Sequence, residues 1–255
     1  MLFLLNALIY LYVFLVGSVI GSFLHVVIYR VPRGISIAKG RSFCPNCGHT
    51  LSARDLFPFF SWIFLRGKCR YCKASISPRY PLVELLGAAA ACVCYAKYGI
   101  SWRTFIAFAL VSVIICIAFV DLDTMEIDDR FLLVLAGLCV LFSLLSGGVG
   151  WWSRVIGFFA ISLPMYLLTL LIHDCFGGGD IKFIAVCGFL LGWKLALLAG
   201  FAAIVTGGLW GIYLLLGRHE DKKAHFAFGP FLGLGVVFAL FWGQPVLDAY
   251  LSLFQ

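Results

Sequence analysis

Charge is what this chain has least of. Asp, Glu, Lys and Arg make up 12% of its 255 residues, where a soluble domain carries about a quarter. Acids are rarer still, 12 in all. A surface facing water on every side cannot be built from so few, which excludes an ordinary soluble body. No repeat of 20–50 residues is visible, which excludes a solenoid or propeller. The apolar opening, residues 1–29, has no basic region before it and no clear cleavage site after it, so a retained first helix is expected rather than a signal peptide. Hydrophobic residues fill the chain instead, 63% of the total, with a mean hydropathy of +1.04.

A membrane-spanning helix needs about 17–25 apolar residues. Eight candidates can be read: Leu2–Ile28, Pro81–Tyr98, Trp102–Val120, Phe131–Leu145, Val155–Ile172, Ile181–Trp193, Leu195–Leu216 and Phe226–Leu247. The fourth and sixth are short, and Gly188 and Gly192 interrupt the sixth. Orientation follows from charge. Ten Lys or Arg and a single acid, Asp55, lie between Arg30 and Arg79, and such segments stay in the cytoplasm. Alternation from there puts Asp121–Arg130, His173–Asp180 and Gly217–His225 on the same inner side. Of 19 basic residues, 15 then fall inside; Lys97, Arg103, Arg154 and Lys194 fall outside. This bias accounts for the net charge of +7 without a nucleic-acid partner, and membrane lipid is the expected surrounding.

The polar segment 30–80 is too small to rest on a hydrophobic core alone. Its staple is Cys44-Pro-Asn-Cys47 with Cys69-Arg-Tyr-Cys72. Two C-x2-C turns present four thiolates to one tetrahedral Zn²⁺, and Gly48 and Gly67 stand where tight turns are needed. Two disulfides are the rival reading, disfavoured by a reducing cytoplasm. Four sulfurs fill the coordination sphere, so the metal is expected to be structural. The other six cysteines lie in or beside apolar segments, where Cys serves as a small hydrophobe. The expected fold class is therefore all-α and polytopic, about eight transmembrane helices with a cytoplasmic zinc-binding loop domain. The expected parts are a first helix (1–29), the four-cysteine domain (30–80) and a transmembrane domain (81–255).

Acids cluster where apolar segments end. Five stand within Asp121–Asp129, the first attached to an apolar helix, and Asp180 closes Phe176-Gly-Gly-Gly-Asp180 before another. Ionisable groups at the bilayer edge are costly and usually functional. Two carboxylates from separate segments, sharing one proton, could activate a water and polarise a carbonyl. Glycines beside them would admit an extended backbone. Bland readings stand alongside: a solvated loop for Asp123, Glu126, Asp128 and Asp129, a plain connector for the glycines, or a divalent-cation loop.

At this point the chain resembles the bifunctional type IV prepilin peptidases, along almost its whole length. The resemblance is carried by Gly21-Ser-Phe-Leu-His-Val-Val-Ile-Tyr-Arg-Val-Pro32, the cysteine quartet, Arg66-Gly-Lys-Cys69 and Ile76-Ser-Pro-Arg-Tyr-Pro-Leu-Val-Glu84. It is carried further by Asp121 with Ile127, by Gly177-Gly-Gly-Asp-Ile-Lys182 of GxGD type, and by Phe228-Gly-Pro230. It implies cleavage of prepilin or pseudopilin leaders at the cytoplasmic face of the bacterial inner membrane, then N-methylation of the new terminus with S-adenosylmethionine. It also implies Asp121 and Asp180 as the catalytic pair and Cys44, Cys47, Cys69 and Cys72 as zinc ligands. Two departures stand out: Asp128 replaces the usual Pro after Ile127, adding a charge near the pair, and His25 stands where Asn is common. No soluble-type methyltransferase fingerprint is present in the loop. Three rivals are kept: a GxGD intramembrane protease with other substrates, a carboxylate-based transporter, and a zinc-ribbon assembly factor without catalysis. A transporter would place its acids near the bilayer midplane, and a scaffold would tolerate loss of Asp180.

Overall fold

The computed structural model describes residues 2–52, 54–172, 175–217 and 226–253, with no side chain described for Leu2. Arg218, Lys222, Lys223 and His173, placed above on the inner side, lie outside the described residues. Among the described residues the chain is helical, with two isolated β-bridges and no strand. Seven helices among the described residues are long and apolar enough to cross a membrane: α1 (Leu2–Arg30), α3 (Arg79–Tyr98), α4 (Trp102–Thr124), α5 (Asp129–Ser146), the pair α6 (Trp151–Ala160) and α7 (Ser162–Leu171), α9 (Trp193–Gly217) and α10 (Gly229–Ser252). The chain divides into two compact units, Met1–Phe108 and Ala109–Gln255.

The sixth expected span is a different object. It forms α8 (Gly178–Leu191), 14 residues and about 21 Å long, short of the roughly 30 Å apolar layer. The physical reason is at its ends. Asp180 keeps its start at a polar loop, and Gly192, at φ 75°, breaks it from α9. Eight of its residues are buried, because α8 packs against α5, α6, α7, α9 and α10. A helix wrapped by its own protein needs no match to the bilayer. The break between α6 and α7 comes from Pro164, whose ring opposes the carbonyl of Ala160 four residues back.

Arg154, expected outside, is a buried part of the second unit. Its guanidinium donates to Ser143 O (3.4 Å), Val149 O (3.1 Å) and Leu190 O (3.3 Å). Two of these carbonyls lie in the last turns of α5 and α8, the negative ends of helix dipoles.

In the first unit, Gly17 and Gly21 of α1 face Gly87, Ala88 and Ala91 of α3. A Cβ at Gly17 would lie 2.7 Å from Ala91 Cβ, and one at Gly87 would lie 2.7 Å from Gly17 O. These small residues therefore bring two backbones of one chain together. His25 stacks on Tyr80 at 3.8 Å and 7° nearer the polar end. The short helix α2 (Phe60–Phe64) lies in the connecting loop.

Gly87→Val is expected to overpack this contact, at a cost of about 1–3 kcal/mol or more. Gly137→Ala, which meets nothing within 4 Å, should leave stability at or above the parent's. Thermal unfolding in detergent compares the two.

Candidate active site and metal centre

Asp121 stands at the last turn of α4, where the helix ends through a left-handed Met125 (φ 54°) whose amide donates to Asp121 O at 2.8 Å. Its carboxylate is 4% exposed at the residue level. Oδ2 accepts the Gly229 amide at 2.8 Å, from the first residue of α10. A helix N-terminus offers unpaired N–H groups and a positive dipole end, which is how it holds an anion. Only glycine fits there: a Cβ at Gly229 would lie 2.7 Å from Asp121 Oδ2.

Asp180 lies in the first turn of α8, 9% exposed. Its carboxylate faces the Gly177 amide and is within electrostatic reach of Asp121. Oδ1 is buried and has no hydrogen-bond partner among the described residues. The two aspartate segments dock through Ile127: a Cβ at Gly179 would lie 2.7 Å from Ile127 Cβ. The end of α4 and the starts of α8 and α10 thus meet, and three separate sequence motifs become one site within the second unit.

Two of the remaining acids of that loop have partners of their own. Asp128 is the N-cap of α5, accepting Arg130 N at 2.9 Å and its guanidinium at 2.6 Å. The Arg130 hydrogen bond holds its carboxyl below the usual range. The acid that replaces Pro is thus turned to its own helix and paired, rather than left as a bare charge. Asp129 pairs with Lys182 at 2.8 Å, both exposed, a contact worth at most about 1 kcal/mol.

In the first unit, Cys44, Cys47, Cys69 and Cys72 bring their sulfurs within 4.8 Å of one another. Two matching turns do this. Cys44 N donates to His49 O (2.9 Å) and Gly48 N to Cys44 O (2.8 Å); Cys69 N donates to Ala74 O (2.8 Å) and Lys73 N to Cys69 O (3.0 Å). The residue after each second cysteine is left-handed, Gly48 at φ 68° and Lys73 at φ 60°. The sequence shows the glycine in the first turn; Lys73 takes the same strained position in the second. Gly67, noted beside it, makes a separate turn against Trp62.

The donor set fits a tetrahedral cation. Cys44 and Cys72 sulfurs are 3.8 Å apart, the edge of a tetrahedron with metal–sulfur bonds of about 2.3 Å and far beyond a disulfide. Backbone amides of Cys47 and Asn46 hold the Cys44 thiol below its ordinary range. The Asn46 side chain, 3.5 Å from the sulfur, brings Cys72 down to about 6. Cys44 and Cys72 thus incline to the thiolate form that a divalent cation takes, whereas at Cys47 the pull of the His49 amide is outweighed by burial and the neighbouring thiols, which push it up to about 11.

Asp55, the lone acid of the loop, ties the turns together. It accepts Ser52 Oγ (2.7 Å), Arg70 Nε (2.6 Å) and Tyr71 OH (3.3 Å). Burial works against its ionisation, but the Ser52 hydroxyl and Arg70 outweigh that and bring it to about 2. Reading the loop as a field of positive charge missed this role, although a single acid among ten bases was the visible signal.

Two family models match the chain: the bacterial peptidase A24 N-terminal domain over residues 15–98 and the type IV leader peptidase family over residues 108–212. Among similar proteins is the prepilin leader peptidase/N-methyltransferase of Aeromonas hydrophila, 35% identical over 271 residues, covering 95% of this chain and 93% of its own. That of Bacillus subtilis (strain 168) is 32% identical over 240 residues, covering 94% and 97%. That of Aeromonas salmonicida is 34% identical over 270 residues, covering 94% and 93%. No solved structure matches the chain.

A carboxylate held below its unfolded value stabilises the fold above that value and loses the effect as pH falls through the folded one. For Asp55 the window runs from about 4 down to about 2. Asp55→Asn is expected to speed amide hydrogen exchange at residues 69–74 already at neutral pH. The same measurement on the parent should show protection fading through that window.

Proposed function

The chain belongs to the type IV leader peptidase family, and we propose that Asp121 and Asp180 are the catalytic pair through which it works. It is a prepilin leader peptidase and N-methyltransferase, an integral protein of the cytoplasmic (inner) membrane. The observation that carries the assignment of the pair is their convergence. Two buried carboxylates from distant motifs meet at helix ends, one anchored by the Gly229 amide and the other with Oδ1 unpartnered among the described residues.

The proposed chemistry needs no covalent intermediate. The ionised member of the pair takes a proton from water, whose oxygen adds to the scissile carbonyl carbon. The protonated member hydrogen-bonds the carbonyl oxygen as it gains charge. The tetrahedral adduct then collapses as the leaving nitrogen is protonated. Gly178, where an added Cβ would meet nothing within 4 Å, leaves space for an extended leader backbone. Placement of both acids at helix ends supports this reading over a transporter, whose acids would lie near the midplane.

For the first unit the proposed metal is Zn²⁺ held by Cys44, Cys47, Cys69 and Cys72. Bound there, it would supply folding free energy to a loop without a core of its own. The methyl donor is proposed to be S-adenosylmethionine, a co-substrate, with the four-cysteine domain associated with methyl transfer. Both the loop and the aspartate pair are assigned to the cytoplasmic side. The substrates are prepilins, with pseudopilins proposed beside them.

Asp121→Asn and Asp180→Asn are each expected to lower leader cleavage roughly 10³-fold or more. The double variant should be little worse, because a pair sharing one proton acts as a unit. Asp123→Asn and Asp129→Asn should stay within about tenfold of the parent. Assay of one prepilin in liposomes decides this; near-parental cleavage by the Asp180 variant would refute the assignment. Metal analysis should find one zinc per chain, and Cys44 should resist impermeant thiol reagents applied outside intact cells. Absence of zinc together with paired sulfurs would contradict the metal centre.

A further inference from the structure

Inside the basic segment lies a run that its charge conceals: Leu56-Phe-Pro-Phe-Phe-Ser-Trp-Ile-Phe-Leu65. Nine of the ten residues are apolar or proline, too few to span a bilayer but the length of an interfacial or re-entrant element. In a water-facing loop these side chains would form a small core. Here they are turned outward: Leu56, Phe57, Phe60, Ile63 and Phe64 are all exposed, Phe64 by 81%.

The run also folds back along the spanning helices. Pro58, Phe59 and Phe60 form a tight turn closed by Phe60 N to Pro58 O at 2.6 Å, with Phe59 at φ 65°, ψ −57°. This strained geometry aims the Phe59 amide at Glu84 Oε2, 2.8 Å away. Glu84 is buried in α3, about 7 Å along the helix from Arg79. The Phe59 ring reaches Phe14, at 6.4 Å between centroids, and Phe14 lies about 24 Å along α1 from Arg30. The turn thus sits beside apolar stretches of α1 and α3, below the level where both become polar. Beside it a cleft of about 530 Å³ is lined by Phe57, Phe60, Ser61 and Phe64 together with two guanidinium side chains, Arg54 and Arg70.

We propose that Leu56–Leu65 is a re-entrant hairpin that enters the lipid leaflet next to the four-cysteine domain, and that Arg54 and Arg70 hold the phosphate of an anionic phospholipid over it. Apolar side chains on one surface and cations bordering them are the two halves of such a lipid. Asp55 engages Arg70 through Nε, and Arg70 lines the cleft together with Arg54. Glu84 is the positioning residue, because its carboxylate supplies the acceptor that a turn amide needs inside an apolar layer. The proposal concerns the first unit and is independent of the catalytic assignment.

The test uses full-length protein in liposomes of phosphatidylglycerol and phosphatidylcholine, with the photoreactive p-benzoylphenylalanine at position 64. Leu144, 77% exposed on α5, serves as the lipid-facing control, and Ile37 as the loop control. Irradiation should give phospholipid adducts at 64 and 144 and none at 37. Glu84→Ala should lower the adduct at 64 several-fold and leave that at 144 unchanged. Native mass spectrometry should show phosphatidylglycerol retained over phosphatidylcholine, a preference that Arg54→Gln reduces several-fold while the adduct at 64 persists. Adducts at 144 without any at 64 would overturn the proposal. So would cross-linking of position 64 to a co-reconstituted prepilin in place of lipid. Equal retention of the two lipids by the parent would overturn the phosphate site.

Discussion

A carboxylate withdrawn from water must be met by donors, or it does not remain in place as a charge. At Asp121 the donor is a backbone amide at the start of α10, 2.8 Å away; at Asp180 it is the turn that begins its own helix. Two close approaches around these acids leave no room for a side chain. Asp121 can reach α10 only because residue 229 has no side chain, and the loop after α4 can lie on α8 only because residue 179 has none. The second unit is arranged around this requirement. α4 must end, and α8 and α10 must begin, at one place. Met125 turns the chain there, Asp128 caps the next helix, and Arg154 closes the far ends of α5 and α8. Rigid elements deliver the two acids, which is what the reaction proposed for them, sensitive to small misplacements, demands.

The first unit solves a different problem with related means. Its polar segment is too small to hold itself together, so order comes from three cross-connections: sulfurs that converge, a lone aspartate bridging both turns, and an amide that reaches down to Glu84. Beneath them α1 and α3 approach closely enough for glycine alone. Each feature would be weak if isolated. Together they give a loop of some fifty residues a defined shape.

Much of this was legible in the sequence, and what was not has physical reasons. Length and hydropathy located the spans, because a bilayer imposes them on composition. The cysteine spacing announced its cluster, since ligand geometry imposes spacing. The same logic fails for α8, which is short because protein rather than lipid surrounds it. Gly17 and Gly21 could have served contact within or between chains, and only their partners on α3 decide the matter. In sequence Asp128 is only an added charge near the pair; its direction, toward Arg130, is a matter of three dimensions. Phe228-Gly-Pro230 was visible as a motif, yet its task of presenting an amide to Asp121 involves a residue 108 positions away. The apolar run 56–65 went unread because ten flanking cations dominate any average over the loop.

The central claim is that the Gly229 amide fixes a buried carboxylate in working position. Gly229→Ala tests it most directly, since it removes no charge and no catalytic group yet sets a methyl 2.7 Å from Asp121 Oδ2. The variant would be co-expressed with a prepilin, and the mass of the pilin N-terminus measured. The account predicts that the leader is largely retained, with cleavage slowed by about 10²-fold, while the protein accumulates in the membrane as the parent does. Complete removal of the leader at the parental rate would contradict it.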